Sequence, residues 1–520
     1  MPAQPVRTAT LSLLIWAFVF TVTCFTAGRN PRPGDAALMC QAARSLVQRG
    51  TFAIEPTRSD VVRGPDGNHY TKYPLVTVLQ CVPALGLRGA VHQLAPEDAM
   101  FEAWALAIVP HVVSATLALG TMQLGLAFGA SVPAALGLAL LVLFTTPLWA
   151  AGRSLYSENL QAMLVIWITL MAVRARDEDR WAPFVWGGLL CGLAINTKVT
   201  LAVLPLAILV DQCHERWTRT RLVRLLVGAL PGVALGVLVF FAYNKLRFGG
   251  WLTQGYTAER DGALGFSVSL ASGLYGLLLS SGKSVFLYAP ILLASVAAVP
   301  AWFRTRRRDL WLMAIPTLTT VCVSACWWAW AGDWSWGPRF LTPIVPLACV
   351  PIIHHLGRRR ARPAIVVLAA LGLYVQLLSL TVEASSYLKT TRPMTKALVG
   401  KQFGSVMIRD GILPVHFVPE LNPIVGHQWL LTRYLSQSPW TEQSYYPWRG
   451  LGLLSWRPDS DPTPAHLDFW IDASSSRAAL LVETALGLLA LGLGALLWQH
   501  VRRLRGTTQA CYKSEPLEVP

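Results

Sequence analysis

From Ala103 to Gly152 the chain runs for 50 residues without an aspartate, glutamate, lysine or arginine. As one straight helix that stretch would be roughly 75 Å long, against a bilayer hydrocarbon core of about 30 Å. It must therefore fold back on itself, and the small-residue run Phe128-Gly129-Ala130-Ser131 is where the sequence offers a turn. The other residues continue in the same manner: 53% of the 520 are hydrophobic, 14% are charged, and 21 are tryptophan, which excludes an ordinary soluble multidomain enzyme. The fold class predicted is an all-α polytopic membrane protein.

A formal charge of +16 raises the question of a nucleic-acid partner, and the placement of the charge answers it. Four short segments, His214 to Arg224, Arg304 to Arg308, Arg358 to Arg362 and Arg502 to Arg505, hold 15 arginines and a single acid, Glu215. These clusters separate apolar stretches as cytoplasmic loops do under the positive-inside rule, so the basic balance is topological and no nucleic acid is expected. With the clusters inside, about 12 spans thread the membrane: 8–28, 103–127, 131–151, 157–173, 183–197, 199–213, 222–243, 284–303, 310–330, 340–356, 364–382 and 479–499. Both termini then lie on the cytoplasmic side, and Thr8 to Gly28 reads as a retained signal anchor.

Three loops remain on the outer side: 29–102, 244–283 and 383–478. In the first, Ala36 to Gln48 and "KYPLVTVLQCVPALGL" read as interfacial helices that lie on the membrane without crossing it. The organisation expected is a membrane core over 1–382, a periplasmic cap over 383–478, and a last span with a basic tail over 479–520. No internal repeat, Walker motif, dinucleotide loop, HExxH or nucleophile elbow is present, so the energy of any reaction must arrive with the substrate.

Nine cysteines are scattered through the chain, most within apolar spans, with no metal-ligand spacing beside histidines. Cys40 and Cys81 fall on the same outer side, and whether they pair is left open by the sequence.

Ionisable residues at span ends are the informative ones, because a charge at bilayer depth costs free energy and usually marks a site. Asp35 follows the first span and begins "AALMCQAARSL"; it suits either a helix N-cap or a catalytic acid. Glu158, in the first turn of the fourth span, suits the helix dipole equally well. Lys72, Lys198, Lys283 and Arg339 fall on that same face, against the positive-inside tendency. Either they snorkel to lipid headgroups or they meet a phosphate, for which lysine as a point charge and arginine as a fork are both fitted. Trp327, Trp328, Trp330, Trp334 and Trp336 flank the Asp333 to Arg339 turn and suit a membrane interface or the apolar face of a sugar.

Several of these stretches together, "ARSLVQRGTFAI", "DGNHYTKYPL", "GLAINTK", "AYNKLRFGGWLTQGY", "GLLLSSGKSVFLYAPILL" and "WAWAGDWSWGPRFLTPIVPL", resemble bacterial GT-C glycosyltransferases. The subgroup is that allied to protein O-mannosyltransferases and the aminoarabinose transferase of lipid A, and the likeness covers roughly Leu11 to Leu356. The resemblance implies a GT-C fold and a polyprenyl-phosphate-linked sugar donor. It also implies a lipid, glycan or protein acceptor, and a site on the periplasmic face of the bacterial inner membrane. Asp35 matches the family's acceptor-side aspartate and Glu158 a second acid. Lys72, with Tyr73 beside it, matches the turn that contacts the lipid phosphate. Lys198, Lys283, Asp333 and Arg339 join the substrate and phosphate contacts. No cofactor is implied, and a divalent metal at Asp35 and Glu158 is an option and not a requirement. Ala36 and Ala37 depart from the family, whose first loop often carries a second acid after the aspartate. A lipid-glycan flippase and a non-catalytic envelope scaffold are the rival readings.

Overall fold

The computed structural model describes residues 4–28, 34–56, 61–91, 99–176, 180–212, 214, 218–259, 265–332, 335–382, 387, 413–436 and 477–513. The chain is a mostly helical polytopic membrane protein. Helix α1 (Gln4–Phe25) precedes α2 (Asp35–Arg49), the two-stranded hairpin β1 (Val61–Arg63) and β2 (His69–Thr71), then α3 (Leu75–Leu79) and α4 (Val82–Val91). The bundle continues through α5 (Ala99–Ala127), α6 (Val132–Phe144), α7 (Leu148–Ala151), α8 (Ser157–Arg174), α9 (Ala182–Ile195), α10 (Val203–Gln212), α11 (Arg219–Val223) and α12 (Leu230–Phe248). Next come α13 (Gly255–Glu259), α14 (Leu270–Leu278), α15 (Val285–Tyr288), α16 (Ile291–Thr305), α17 (Arg307–Cys326), α18 (Val345–Cys349), α19 (Ile353–Leu356) and α20 (Arg362–Thr381). Helices α21 (Leu413–Phe417), α22 (Pro423–Ser436) and α23 (Arg477–Lys513) complete the described elements.

The uncharged stretch breaks where the sequence offers a turn. Helix α5 stops at Ala127 and α6 starts at Val132. Between them Gly129 takes φ 75°, a left-handed conformation that a side chain would resist. Among the described residues, six stretches are long and apolar enough to cross a membrane: Ala105–Ala127, Arg219–Phe248, Arg307–Cys326, Arg339–Leu356, Arg359–Thr381 and Leu481–Arg503. Four of the remaining expected spans appear as complete but shorter apolar helices, Ala9–Phe25, Ala182–Ile195, Val199–Gln212 and Ile291–Thr305. The expected 131–151 span divides into α6 and α7. Helix α8 joins neither group, because Glu158, Asn159 and Gln161 make its first turns polar. Val227, Leu238 and Leu491 are 63%, 61% and 74% exposed on the outside of the bundle, as lipid-facing positions require.

Among the described residues the buried apolar side chains fall into more than one cluster, of which two matter for the site. The larger runs through α1, α5, α6, α8, α16 and the 341–352 stretch. The smaller is built mainly from the segment between α1 and α5, where Ala36, Leu38, Met39, Cys40, Ala42 and Ala43 of α2 meet Tyr73, Val78, Cys81 and Leu85, with Leu106 of α5 and Leu155 beside them. Close helix packing relies on small residues. Gly188 and Gly192 of α9 face Gly232 and Gly236 of α12, and a Cβ on Gly192 would stand 2.5 Å from the Gly232 carbonyl oxygen. The Asn196 amide bridges the same two helices, donating to the carbonyls of Gly192 (3.0 Å) and Gly236 (2.7 Å).

Much of the expected cap lies outside the described residues. Its described part docks on the bundle: Asn422 Nδ2 donates to the Ser281 carbonyl at 2.7 Å, and the Gly282 amide to that of His416 at 2.9 Å.

Candidate active site

Asp35 is the first residue of α2, and the N-cap is Gly34, with φ 49°. Its carboxylate therefore does not cap the helix and is directed at another partner. Arg339 Nη2 donates to Asp35 Oδ2 at 2.8 Å, and Arg339 Nε donates to Glu158 Oε1 at 2.6 Å. One guanidinium thus joins two acids that are 123 residues apart in sequence. Glu158 is 2% exposed, and its Oε2 has no hydrogen-bond partner among the described residues.

The turn that delivers Arg339 is held from below. Gly337 takes φ 68°, and a Cβ there would meet the Tyr288 ring at 2.8 Å. Lys283 Nζ donates to the carbonyls of Ser335 (2.8 Å) and Gly337 (3.0 Å) while only 1% exposed. Lys283, expected among the phosphate contacts, is instead committed to backbone oxygens that shape the Arg339 turn. Asp333 lies outside the described residues.

Lys72 follows β2 and precedes Pro74, which starts α3. Its neighbours are fixed by Arg247 at the end of α12, whose Nη1 donates to the carbonyls of Thr71 (2.6 Å) and Tyr73 (3.0 Å). Arg247 is buried, with its guanidinium 3.6 Å from the Tyr243 ring centroid. Lys72 Nζ stands 5.7 Å from the centroids of both Tyr73 and Tyr256. Lys198, at the turn between α9 and α10, lies 4.4 Å from the Phe340 centroid. Burial lowers its pKa to about 8; Glu158 acts against that shift and Arg339 adds to it.

These groups surround a cavity of about 210 Å³ at one end of the bundle, lined by Lys72, Tyr73, Glu158, Lys198, Arg247 and Arg339 among others. Asp35 borders it through Arg339 and Tyr73. Burial disfavours the charged form of Asp35, but the Arg339 charge, Tyr73, the Arg339 hydrogen bond and Lys72 outweigh it, so its pKa lies below the ordinary value. The Tyr73 hydroxyl is near that carboxylate without the geometry of a full hydrogen bond. Among the described residues no three His, Cys, Asp or Glu side chains gather as a metal site would require. Arg247 lines the same cavity and is not among the residues singled out from the sequence. The signal was present: a basic residue at the end of a span, within "AYNKLRFGG".

Residues 91–243 match the family described as dolichyl-phosphate-mannose-protein mannosyltransferase. The match bears out the recognition of GT-C glycosyltransferases in the sequence; it spans Glu158 and Lys198 and excludes Asp35, Lys72 and Arg339. No curated protein sequence matches the chain. Among solved structures, ArnT from Cupriavidus metallidurans in the apo state is 14% identical, with a TM-score of 0.46, over 95% of this chain and 76% of its own. The same protein bound to undecaprenyl phosphate is 14% identical with a TM-score of 0.44, over 99% of this chain and 81% of its own. The archaeal oligosaccharyltransferase AglB from Archaeoglobus fulgidus, in complex with an inhibitory peptide and a dolichol-phosphate, is 10% identical with a TM-score of 0.37, over 93% of this chain and 64% of its own.

Proposed function

We propose that the chain is an inverting glycosyltransferase that moves a sugar from a polyprenyl-phosphate donor to an envelope acceptor on the periplasmic side of the inner membrane. The observation that carries this reading is the Asp35–Arg339–Glu158 bridge beside a cavity that also holds Lys72 and Lys198. Four cations (Lys72, Lys198, Arg247, Arg339) stand against two carboxylates there, an excess of two positive charges that suits a lipid phosphate.

Asp35 takes the proton of the acceptor hydroxyl as its oxygen attacks the anomeric carbon. The bond from that carbon to the phosphate oxygen breaks, and its electron pair leaves with the polyprenyl phosphate. Lys72 and Lys198 stabilise the charge that develops on the leaving phosphate. Glu158 orients the sugar or the acceptor, and Arg339 holds both acids in place while it borders the phosphate. A single displacement inverts the anomeric centre. The acceptor is a lipid, a glycan or a protein, and the sugar a hexose or a pentose.

The test is mass spectrometry of envelope glycolipids and glycoproteins from wild-type, deletion and Asp35→Asn strains. Expected is the loss of one glycosylated product with accumulation of a polyprenyl-phosphate sugar, and a fall in transfer rate by the pure variant of about 10²- to 10⁴-fold. Wild-type product at a normal rate from Asp35→Asn overturns the base assignment. A lipid-linked glycan trapped on the cytoplasmic leaflet of the deletion strain would identify a flippase instead.

A further inference from the structure

The small core of the first outer loop holds a second piece of chemistry, at two residues that do not themselves line the cavity. Cys40 Sγ lies 3.4 Å from Cys81 Sγ, and the two residues are 2% and 0% exposed. Cys40 sits on α2, five residues after Asp35, and Cys81 follows α3, nine residues after Lys72. The other described cysteines, Cys24, Cys191, Cys322, Cys326 and Cys349, lie in the helices of the bundle.

We propose that Cys40 and Cys81 form a disulfide that clamps the helix bearing Asp35 to the segment bearing Lys72. Three observations converge on it. The thiols are already in contact, so the bond requires only a small approach of the two sulfurs. The core they belong to is much smaller than the main bundle core and takes only a few side chains, such as Leu106 and Leu155, from the bundle, and a unit with little apolar area to bury benefits most from a covalent tie. The closed loop would enclose Ile54, the β1–β2 hairpin and Lys72, so the bond would restrict the unfolded chain over the whole stretch that builds this side of the site.

The bond is a site of oxidative modification. Each thiol gives up a proton and the pair gives up two electrons to an incoming disulfide of a thiol–disulfide oxidant, which leaves as two thiols. Burial in the folded protein places this step during folding, before α2 closes over α3. The proposal rests on the outer orientation of this loop and not on the transferase chemistry.

The experiment uses the full chain in cells. Lysis in denaturant with N-ethylmaleimide present, then proteolysis without reduction, is expected to give a cross-linked Cys40/Cys81 peptide with neither sulfur alkylated. After reduction both sulfurs take iodoacetamide. Alkylation of both Cys40 and Cys81 before reduction overturns the proposal. Orientation is read separately: a Glu55→Cys variant, at an exposed position of the same loop, is expected to react with a membrane-impermeant maleimide in intact cells. If Cys40 and Cys81 are alkylated while that variant labels from outside, the disulfide fails and the topology stands. If the variant is shielded, the orientation fails and the proposal with it. In detergent, a reductant is expected to lower the melting temperature of the wild type by a few degrees and to leave a Cys40→Ala/Cys81→Ala variant unmoved; equal responses of the two overturn the clamp.

Discussion

Arg339 sets the charge state of Asp35 at the residue scale. Burial by itself favours the neutral acid at Asp35, and the neighbouring guanidinium works against it. With that guanidinium in place the Asp35 pKa is depressed, so its carboxylate persists through the neutral range and is lost only as pH falls through that lowered value. An acid limb from Asp35 is therefore expected below the ordinary aspartate value of about 3.9. Lys198 behaves in the opposite sense. Burial brings its pKa to about 8, so its ammonium is present below that pH and lost above it. If Lys198 meets the phosphate, the KM for donor rises between pH of about 7 and about 9, and Lys198→Arg, whose charge does not titrate there, abolishes the rise. A flat KM across that range in the wild type would remove Lys198 from the phosphate site. The sequence singles out each of these residues from its place at a span end. That Arg339 joins the two acids, and that Lys283 serves the backbone, depends on side-chain directions that spacing cannot give.

Elements place these residues by close contact. The Thr197–Lys198 turn has its position because α9 and α12 meet at glycines, and the Asn196 amide finds carbonyls on both helices. A Cβ on Gly236 would collide with the backbone of Gly192, whereas one on Gly137 in α6 meets nothing within 4 Å. Gly236→Ala is accordingly expected to destabilise by about 1–3 kcal/mol through overpacking. Gly137→Ala serves as its control and is expected to be neutral or stabilising by about 0.5–1 kcal/mol. Thermal unfolding in one detergent compares the two, and equal melting temperatures would show that α9 and α12 separate without cost. Arg247 works in the same way on Lys72: its Nη1 donates to the Thr71 and Tyr73 carbonyls of the β2–α3 link, while its Nε donates to the Tyr243 carbonyl of its own helix. Its role depends on a hairpin more than 170 residues earlier in the chain, so its place at a span end marks it as a candidate without showing which segment it holds.

At the scale of the molecule, the site occupies one end of the bundle and an ion network closes the other. Arg176 binds Asp211 at 2.7 Å and Asp309 at 2.6 Å, and Arg308 binds Asp211 at 2.8 Å, with the Asp211 side chain 1% exposed. Arg221 adds a bond to Gln212 at 2.6 Å. The connection after α8, the end of α10 and the starts of α11 and α17 are tied together there. Asp211→Ala would leave Arg176 and Arg308 each short of a partner, for an expected loss on the order of 3 kcal/mol. The measurement is thermal unfolding beside donor KM: melting should fall while KM holds, because the network lies at the far end of α8 from Glu158. A changed KM with unchanged melting would mean that the two ends are coupled.

The sequence by itself determines that this chain is a bundle of membrane helices, where most of them start and stop, and which face gathers acids and bases away from the arginine clusters. It does so because apolar length against bilayer thickness and the sign of loop charge are one-dimensional quantities. The tertiary structure alone decides that Asp35 is bound by Arg339 and does not cap α2, that Arg247 holds the Lys72 link, and that Cys40 touches Cys81. Each of those is a contact between side chains distant in sequence, whose distance and direction exist only once the helices have packed.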